Sequence, residues 1–358
     1  LEMAQKNNFL NLDEILEKPF VAASMAWNFA DFGSESRIDA VPHVNNKGIL
    51  TWDRKPKDLY YLYQAYLLEK PVVKIGSRDW QLRSGIEDSP GKGICSQPLQ
   101  VFTNLDEVTL FVNGQKLGSR AISDRKHILE WESIPFKDGE NIIEAVGDHN
   151  GEEIKDFTRV HFRLQPASLK SETTPFKQIN ISLGDKRMLV DQEKDLVWLP
   201  EQAYKEGSWG YIGGEVFVME ESNRQSFGTD ISIHDTKYDP VYQTQRVGIE
   251  GFRLDVPNGY YEVVLHFAEL ISGEDRESLA YNLDDGVISE EAVERRFKVF
   301  LNKDLILNNL DNQYKLLPGK ACKTSTRIKV EQDEGLFIEF ENIKGQAILN
   351  GIQVRKVY

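Results

Sequence analysis

Trp27 and the polar run from Asn45 to Lys47 carry side chains that could bind a sugar. The indole of Trp27 offers a flat apolar face on which the C–H bonds of a pyranose ring could stack. Asn45, Asn46 and Lys47 supply directional hydrogen-bond donors suited to sugar hydroxyls or to a carboxylate. Taken alone, the same residues also fit a core tryptophan and a polar surface loop, so both interpretations stay open at this point.

The elements around these residues predict one strand and one helix. The apolar run 20–27 has the length and two-sided apolarity of a fully buried strand in a parallel sheet. Active sites of barrels with alternating strands and helices lie where the strands end, which is where Trp27 stands. Residues 59–67 predict an aromatic-rich helix. One strand and one helix cannot close a parallel sheet, so we expect residues 1–85 to be an incomplete unit that packs on the next domain or stays partly open.

The rest of the chain predicts two β-domains. Apolar residues alternate with polar ones across residues 86–168, and Asn113-Gly114 and Asn150-Gly151 are strong hairpin signals. This spacing indicates a small antiparallel sandwich. Residues 169–180 are the predicted linker. Residues 181–358 are predicted to form a longer all-β unit, with clear strands at 259–267, 297–301, 336–340 and 348–354. Asn350-Gly351 breaks the last of these strands. An acid-rich insertion at about 272–295 is expected to be a solvated loop or short helix.

Composition narrows the class of protein. The 358 residues are 40% hydrophobic and 28% charged, which is typical of folded globular domains and predicts two or three of them. The net charge of -14 argues against nucleic acid as a partner, because phosphate contacts require clustered cations. No apolar run approaches the roughly 20 residues of a membrane span. Cys95 and Cys322 lie far apart, so we expect neither a disulfide framework nor a cysteine metal site, and no metal or cofactor.

The first block resembles a known enzyme family. The runs 27–33 (Trp-Asn-Phe-Ala-Asp-Phe-Gly), 46–51 (Asn-Lys-Gly-Ile-Leu-Thr) and 53–58 (Asp-Arg-Lys-Pro-Lys-Asp) are similar to the end of the catalytic barrel in family 2 glycoside hydrolases, with bacterial β-galactosidases the nearest match. The resemblance covers about residues 19–84 and implies the eighth strand, its loop and the final helix of a (β/α)8 barrel. It implies that Trp27 floors a sugar subsite, with Asn28, Asn45, Asn46 and Lys47 near it. An Asn-x-Lys pattern in this loop also occurs in β-glucuronidases, where it reads the sugar carboxylate, so the substrate stays open.

The chain differs from this family in the carboxyl groups that catalysis requires. Retaining glycosidases need two carboxyl groups about 5–5.5 Å apart, and the resemblance implies that both belong to earlier barrel strands outside these 358 residues. Asp31, Glu35 and Asp39 occupy a loop with no evident partner or apolar pocket that would separate their pKa values. We therefore predict no catalytic residues here and no hydrolysis by the isolated chain.

Two further resemblances cover the β-domains. The middle block is similar to the immunoglobulin-like domains that follow the barrel in these enzymes, through residues 111–118, Trp131, Pro135, 139–141 and 145–147. The last block is similar to malectin-like carbohydrate-binding domains, through residues 181–184, 198–200, 207–211, 242–246, 260–269, 296–299 and 349–352. The fold class implied is mainly β: an immunoglobulin-like sandwich and a malectin-like jelly-roll sandwich, preceded by the last strand and helix of an incomplete (β/α)8 barrel.

The malectin resemblance implies a second sugar site. Trp209, Tyr211 and Tyr242 are the candidates for stacking, and Arg246 and Asn350 for hydrogen bonding. The alternatives are that Trp198 and Trp209 belong to the core, and that Arg246 pairs with Glu269. Animal malectin has an aromatic pair at its sugar site where this chain has Leu270-Ile271.

These resemblances lead to one main hypothesis and two alternatives. The main one is the C-terminal portion of a β-galactosidase-like exo-glycosidase that serves as an accessory, carbohydrate-binding region. The alternatives are a stand-alone carbohydrate-binding or structural module, and a β-glucuronidase-type parent enzyme. The expected partners are a glycan or oligosaccharide and the missing N-terminal part of the enzyme. Residues 1–20 show no targeting signal, and a periplasmic or secreted location is implied by the resemblance alone.

Overall fold

The fold is known from a computed structural model, which describes residues 12, 14–34, 44–123, 127–191, 194–218, 228–229, 231–270, 294–311 and 315–357. Strands dominate these residues, so the predicted mainly β fold class is confirmed. The chain divides into two compact units. Unit 1 comprises residues up to 88 and 92–164, and unit 2 comprises residues 89–91 and 165–358.

Unit 1 is built around two facing sheets. One has the strand order β4-β10-β9-β6-β7 and the other the order β3-β5-β8, while β1 and β2 form a separate pair. Val101, Ile134 and Phe136 of the smaller sheet share one core with Leu110 and Phe162 of the larger sheet. The elements are β1 Phe32–Gly33, β2 Val44–Asn45, α1 Asp58–Leu67, β3 Val73–Ile75, β4 Leu82–Ile86, β5 Cys95–Thr103, β6 Glu107–Val112, β7 Gln115–Ala121, β8 Ile128–Phe136, β9 Gly139–His149 and β10 Glu152–Gln165.

The two predicted hairpins of this sandwich are present. Asn113-Gly114 joins β6 to β7 and Asn150-Gly151 joins β9 to β10. All four of these residues have positive φ, between 52° and 85°. Asn and Gly tolerate this left-handed backbone, which the tight turn between two right-twisted strands requires.

The predicted buried strand at residues 20–27 is wrong. These residues have no strand pairing, and Phe20, Met25 and Trp27 are exposed, with 95% of the Met25 surface open to solvent. A strand of a parallel sheet is buried only when other strands flank it and helices cover both faces. No described residue of unit 1 forms such a flanking strand, so the apolar run lies on the surface and Trp27 is not a core residue.

The predicted helix is present as α1 and packs on the sandwich. Leu59, Leu62 and Ala65 recur at the three-residue spacing that places them on one face. That face is buried against Val72 and against Phe102 of β5. The first block of the chain is therefore held to the sandwich through a small apolar core of its own.

Unit 2 is a second sandwich. Its sheets have the orders β12-β13-β11-β22-β16-β19 and β14-β15-β20-β17-β18, with β21 paired to β15. The sheets meet through buried rings such as Phe267 of β16 and Phe297 of β17, whose centroids are 6.1 Å apart. The elements are β11 Gln178–Ser182, β12 Leu189–Asp191, β13 Leu196–Pro200, β14 Trp209–Val216, α2 Asp239–Tyr242, β15 Arg246–Leu254, β16 Gly259–Phe267, β17 Arg296–Leu301, β18 Asp304–Asp311, β19 Cys322–Val330, β20 Leu336–Lys344, β21 Ile348–Leu349 and β22 Gly351–Val357.

The predicted strands of unit 2 agree with these bounds. Strand β16 spans residues 259–267 as expected, and Asn350 separates β21 from β22. The predicted acid-rich insertion lies, apart from residues 294 and 295, outside the described residues.

The packing of α1 generates a stability prediction. Leu62→Ala removes a fully buried side chain, so we expect the free energy of unfolding of unit 1 to fall by about 2–5 kcal/mol. Leu67→Ala, at an exposed position of the same helix, should change it by no more than about 0.5 kcal/mol. Urea unfolding of both variants measures the difference, and equal effects would show that α1 is not anchored through Leu62.

Candidate functional site

The backbone that follows Trp27 pairs with the backbone around Lys47, between residues 28–31 and 47–50. The N–H of Asn28 donates to the carbonyl of Lys47 at 3.4 Å, and the N–H of Ile49 donates to the carbonyl of Asn28 at 3.0 Å. Leu50 N–H then donates to Phe29 O, and Asp31 N–H to Leu50 O. The pairing places two stretches that are about 20 residues apart in sequence side by side.

A buried ion pair fixes this pairing. The ammonium of Lys57 lies 2.7 Å from Oδ1 of Asp31, and both side chains are about nine-tenths buried. The same ammonium donates to the carbonyls of Asn46 at 2.9 Å and Gly48 at 3.1 Å. Asp31 Oδ1 also accepts the N–H of Gly48 at 2.9 Å. Asp31 thus has a partner that the sequence did not reveal, because 26 residues separate it from Lys57 and no local pattern links them.

The predicted residues of this site differ in their access to solvent. Trp27 is 74% exposed and Lys47 is exposed, while Asn28 and Asn46 are half-buried. Asn45 is 5% exposed, and its Oδ1 accepts the N–H of Lys47 at 3.3 Å. Asn45 therefore shapes the loop, whereas Trp27 and Lys47 present an aromatic face and a cation to solvent.

The nearby acids are occupied by other groups. Asp31 is paired with Lys57, and Asp53 lies 2.9 Å from the ammonium of Lys55. Both carboxylate oxygens of Asp58 accept the N–H of Ser77, while burial raises the pKa of Asp58. Glu35 and Asp39 lie outside the described residues.

Three of the predicted sugar-binding residues of unit 2 are core residues. Trp209 is 1% exposed and stacks on Phe252, with ring centroids 6.4 Å apart. Asn350 is fully buried, where its amide donates to the carbonyls of Tyr242 and Thr244 and its Oδ1 accepts Ala268 N–H. The predicted role of Trp209, Tyr242 and Asn350 in contacting a sugar is therefore corrected, since they have almost no surface left to offer.

Arg246 and Tyr211 form a structural pair in this unit. The Arg246 guanidinium bonds Glu201, with Nε 2.9 Å from Oε2, and donates to the carbonyl of Gly214 at 2.6 Å. The guanidinium carbon lies 3.3 Å from the centroid of the Tyr211 ring, so the guanidinium covers one face of that ring. Arg246 is buried, so its predicted hydrogen bonding to a sugar is also corrected, and Tyr211 alone of the five candidates keeps a half-exposed side chain. Glu269, the alternative partner of Arg246, pairs instead with buried Arg295 at 2.8 Å.

A histidine lies in the same buried polar network. His266 Nδ1 is 2.7 Å from the hydroxyl of Tyr242, and its Nε2 is 3.0 Å from Oε1 of Gln353. Burial lowers the pKa of His266 to about 4, against a smaller opposing effect of the Gln353 hydrogen bond. The same burial raises the pKa of Tyr242 to about 12. Both groups are therefore neutral near pH 7 and act as hydrogen-bonding parts of the core.

Comparisons with known proteins show which proteins this chain is similar to. A malectin domain model matches residues 177–354, and a domain of unknown function, DUF4982, matches residues 96–155. The β-glucuronidase of Bacteroides fragilis is 34% identical over 132 residues, which are 36% of this chain and 18% of that protein. The crystal structure of Bacteroides uniformis β-glucuronidase matches at a TM-score of 0.78 and 30% identity, over 99% of this chain and 38% of that one. This chain resembles bacterial β-glucuronidases.

The resemblance has a defined extent. A second solved structure, Bacteroides uniformis β-glucuronidase 2 covalently bound to cyclophellitol-6-carboxylate aziridine, matches all of this chain at a TM-score of 0.79 and 30% identity. The chain spans 38% of the length of that protein as well. Its relatives are thus glycosidases, and the similarity includes the Trp27–Lys47 region as well as both sandwiches.

The described ranges contain neither a metal-binding cluster nor a membrane-spanning helix. No group of three or more His, Cys, Asp or Glu side chains there is placed to hold a metal ion. None of the helices in that part of the chain has the length and apolarity to cross a membrane.

The buried histidine gives a prediction of pH dependence. The folded chain holds His266 with a pKa of about 4, below the ordinary value of 6.5, so between these values the unfolded chain binds a proton that the folded chain does not. Stability from this group is complete above pH 6.5 and is lost as the pH falls to 4, by about 3 kcal/mol. Urea unfolding of unit 2 from pH 7 to pH 4 should show this loss in the wild type and not in His266→Gln. His149→Gln, at an exposed position of unit 1, serves as control and should keep it.

Proposed function

We propose that this chain is a carbohydrate-binding portion of a bacterial glycoside hydrolase of the β-glucuronidase type. In this proposal Trp27 stacks on the sugar and Lys47 binds the sugar carboxylate. The observation that carries it is the backbone pairing of residues 28–31 with residues 47–50, which joins the segment that follows the exposed Trp27 to the segment that holds the exposed Lys47. The chain is also similar along its length to a β-glucuronidase structure. The sandwich of unit 1 supports that segment through the packing of α1 on β5.

The charge of the chain favours a uronic acid over a neutral sugar at this place. A carboxylate approaching a protein of net charge -14 is repelled unless a local cation attracts it. Lys57 is neutralised by Asp31 and Lys55 by Asp53, whereas Lys47 is exposed and lies in the segment that pairs with the residues after Trp27. An ionic hydrogen bond from Lys47 would distinguish glucuronate from glucose, which differs from it only in carrying a hydroxymethyl group in place of the carboxylate.

The chain is proposed to bind and not to cleave. Cleavage with retention needs one carboxyl as acid and base and another as nucleophile, about 5–5.5 Å apart. Asp31, Asp53 and Asp58 are each committed to a lysine or to a backbone N–H. We place the carboxyl pair on a further part of the enzyme, which is the proposed protein partner of this chain.

Two other functions are separated from this one by their ligands. A β-galactosidase-type parent would bind galactose, which has no carboxylate for Lys47. A stand-alone glycan-binding module would use unit 2, which the malectin match favours, through exposed surface such as that of Tyr211.

Ligand titration of the ¹⁵N-labelled chain tests the site. D-glucuronate should shift the signals of the Trp27 indole and of the 46–48 amides, with glucose and galactose giving weaker shifts. Lys47→Met should weaken glucuronate binding by about tenfold or more, since a hydrogen bond to a charged group contributes roughly 1.5–3 kcal/mol. Lys55→Met removes an exposed lysine of the same segment and should leave binding unchanged. A preference for galactose, or shifts confined to unit 2, would overturn the glucuronidase assignment in favour of one of the alternatives.

Hydrolysis assays test the proposal that this chain binds the sugar but does not cleave it. The chain alone should release no nitrophenol from nitrophenyl β-glucuronide or β-galactoside. Turnover by the chain alone, abolished by Asp31→Asn or Asp58→Asn, would contradict the proposal that the catalytic carboxyls lie elsewhere.

A further inference from the structure

We infer that Lys57 is a positioning residue: with Asp31 it holds the 46–48 backbone so that Lys47 can meet the carboxylate of a uronic acid. This inference rests on the proposed function for its ligand, but its structural part stands on the contacts of Lys57 alone. We name the arrangement of Asp31, Lys57 and the backbone of residues 46–48 the Asp31–Lys57 clamp.

The ammonium of Lys57 is fully committed within the clamp. It has three N–H groups and three acceptors within 3.1 Å: Oδ1 of Asp31 and the carbonyls of Asn46 and Gly48. Its side chain is only 12% exposed, so it cannot reach a ligand in solvent. Lys57 therefore acts on a sugar only through the loop that it holds.

Lys47 lies between the two carbonyls that Lys57 fixes. The N–H of Gly48 is held as well, by Asp31 Oδ1 at 2.9 Å. The carbonyl of Lys47 itself accepts the N–H of Asn28. The carbonyl of Lys47 and both backbone groups of Gly48 thus have hydrogen-bond partners, while the side chain of Lys47 is exposed.

At Gly48 the loop lies very close to the backbone of Ala30 and Asp31. A Cβ at this position would lie 2.2 Å from the nitrogen of Asp31 and 2.3 Å from the carbonyl carbon of Ala30. Those atoms are backbone and cannot turn aside, so only glycine allows the 46–48 backbone to come within reach of both clamp side chains.

The clamp connects the loop to the rigid part of unit 1. Lys57 immediately precedes α1, and α1 packs on β5 through Leu59 and Leu62. A binding group is effective when its support is itself held by packing and hydrogen bonds. The two lysines thus have different roles: Lys57 is buried and paired with Asp31, whereas Lys47 is exposed to solvent.

Variants of the chain test the clamp by two independent readouts. Lys57→Met should accelerate amide hydrogen exchange at Gly48 and Leu50 by at least tenfold. It should also weaken glucuronate binding, measured by the signals of the Trp27 indole and the 46–48 amides, by about tenfold although Lys47 is intact. Lys57→Arg, which keeps the charge and donors, should restore part of both. Asp31→Asn keeps the shape and the acceptor but removes the charge, and should act in the same direction if Lys57→Met is too unstable to study.

Asn141→Ala is the control for stability. Asn141 is fully buried and its four hydrogen bonds go to Asn113, Lys137 and Gly139, so its loss weakens unit 1 without touching the clamp. It should leave exchange at Gly48 and the glucuronate response unchanged.

The outcomes separate the clamp from the proposed function. Unchanged exchange at Gly48 and Leu50 in both Lys57→Met and Asp31→Asn would overturn the clamp. Faster exchange with an unaltered glucuronate response would overturn its positioning role. Faster exchange in a protein whose wild type shows no response to glucuronate would support the clamp as a loop anchor and contradict the proposed function.

Discussion

The pairing of residues 28–31 with residues 47–50 is the interaction on which the candidate site depends. Neither stretch belongs to a large sheet, and each would be irregular surface chain without the other. Backbone hydrogen bonds between them are worth little individually in competition with water. The buried charge of Asp31 and the three donors of Lys57 add hydrogen bonds to the same loop and reinforce the pairing.

Unit 2 shows the same use of buried polar groups for a different purpose. Asn350 ties the start of β22 to the chain around Tyr242 and Thr244, and His266 links Tyr242 to Gln353. Each of these groups satisfies a neighbour that would otherwise be left without a hydrogen bond in the core. Their sequence context resembles that of a sugar-binding domain, yet their burial assigns them to the sandwich itself.

Much of the fold could be predicted from local pattern. Strand β16 and the Asn-Gly turns follow from alternation and from the left-handed backbone that Asn and Gly allow, and α1 follows from the spacing of Leu59, Leu62 and Ala65. The failure at residues 20–27 has a physical reason, because an apolar run indicates a buried strand only if other elements cover it. The sequence shows the apolar run at residues 20–27, but it does not show whether other elements cover that run.

The candidate site was predictable only in part. Residue type made Trp27 and Lys47 candidates and the family resemblance assigned them to a sugar site; both side chains are exposed. The link between Asp31 and Lys57 joins positions 26 residues apart across an irregular turn, so no periodicity reports it. Aromatic and polar residue types alone could not distinguish Trp209 and Asn350 as core residues from ligand contacts, since either role uses the same chemistry.

The exposed rings of Phe20, Trp27, Phe29 and Trp52 have a practical consequence for handling the chain. Exposed apolar rings attract detergents, fluorescent hydrophobic dyes and other copies of the same molecule. Concentrated samples will self-associate through these rings, and a mild non-ionic detergent or moderate dilution will keep the chain dispersed.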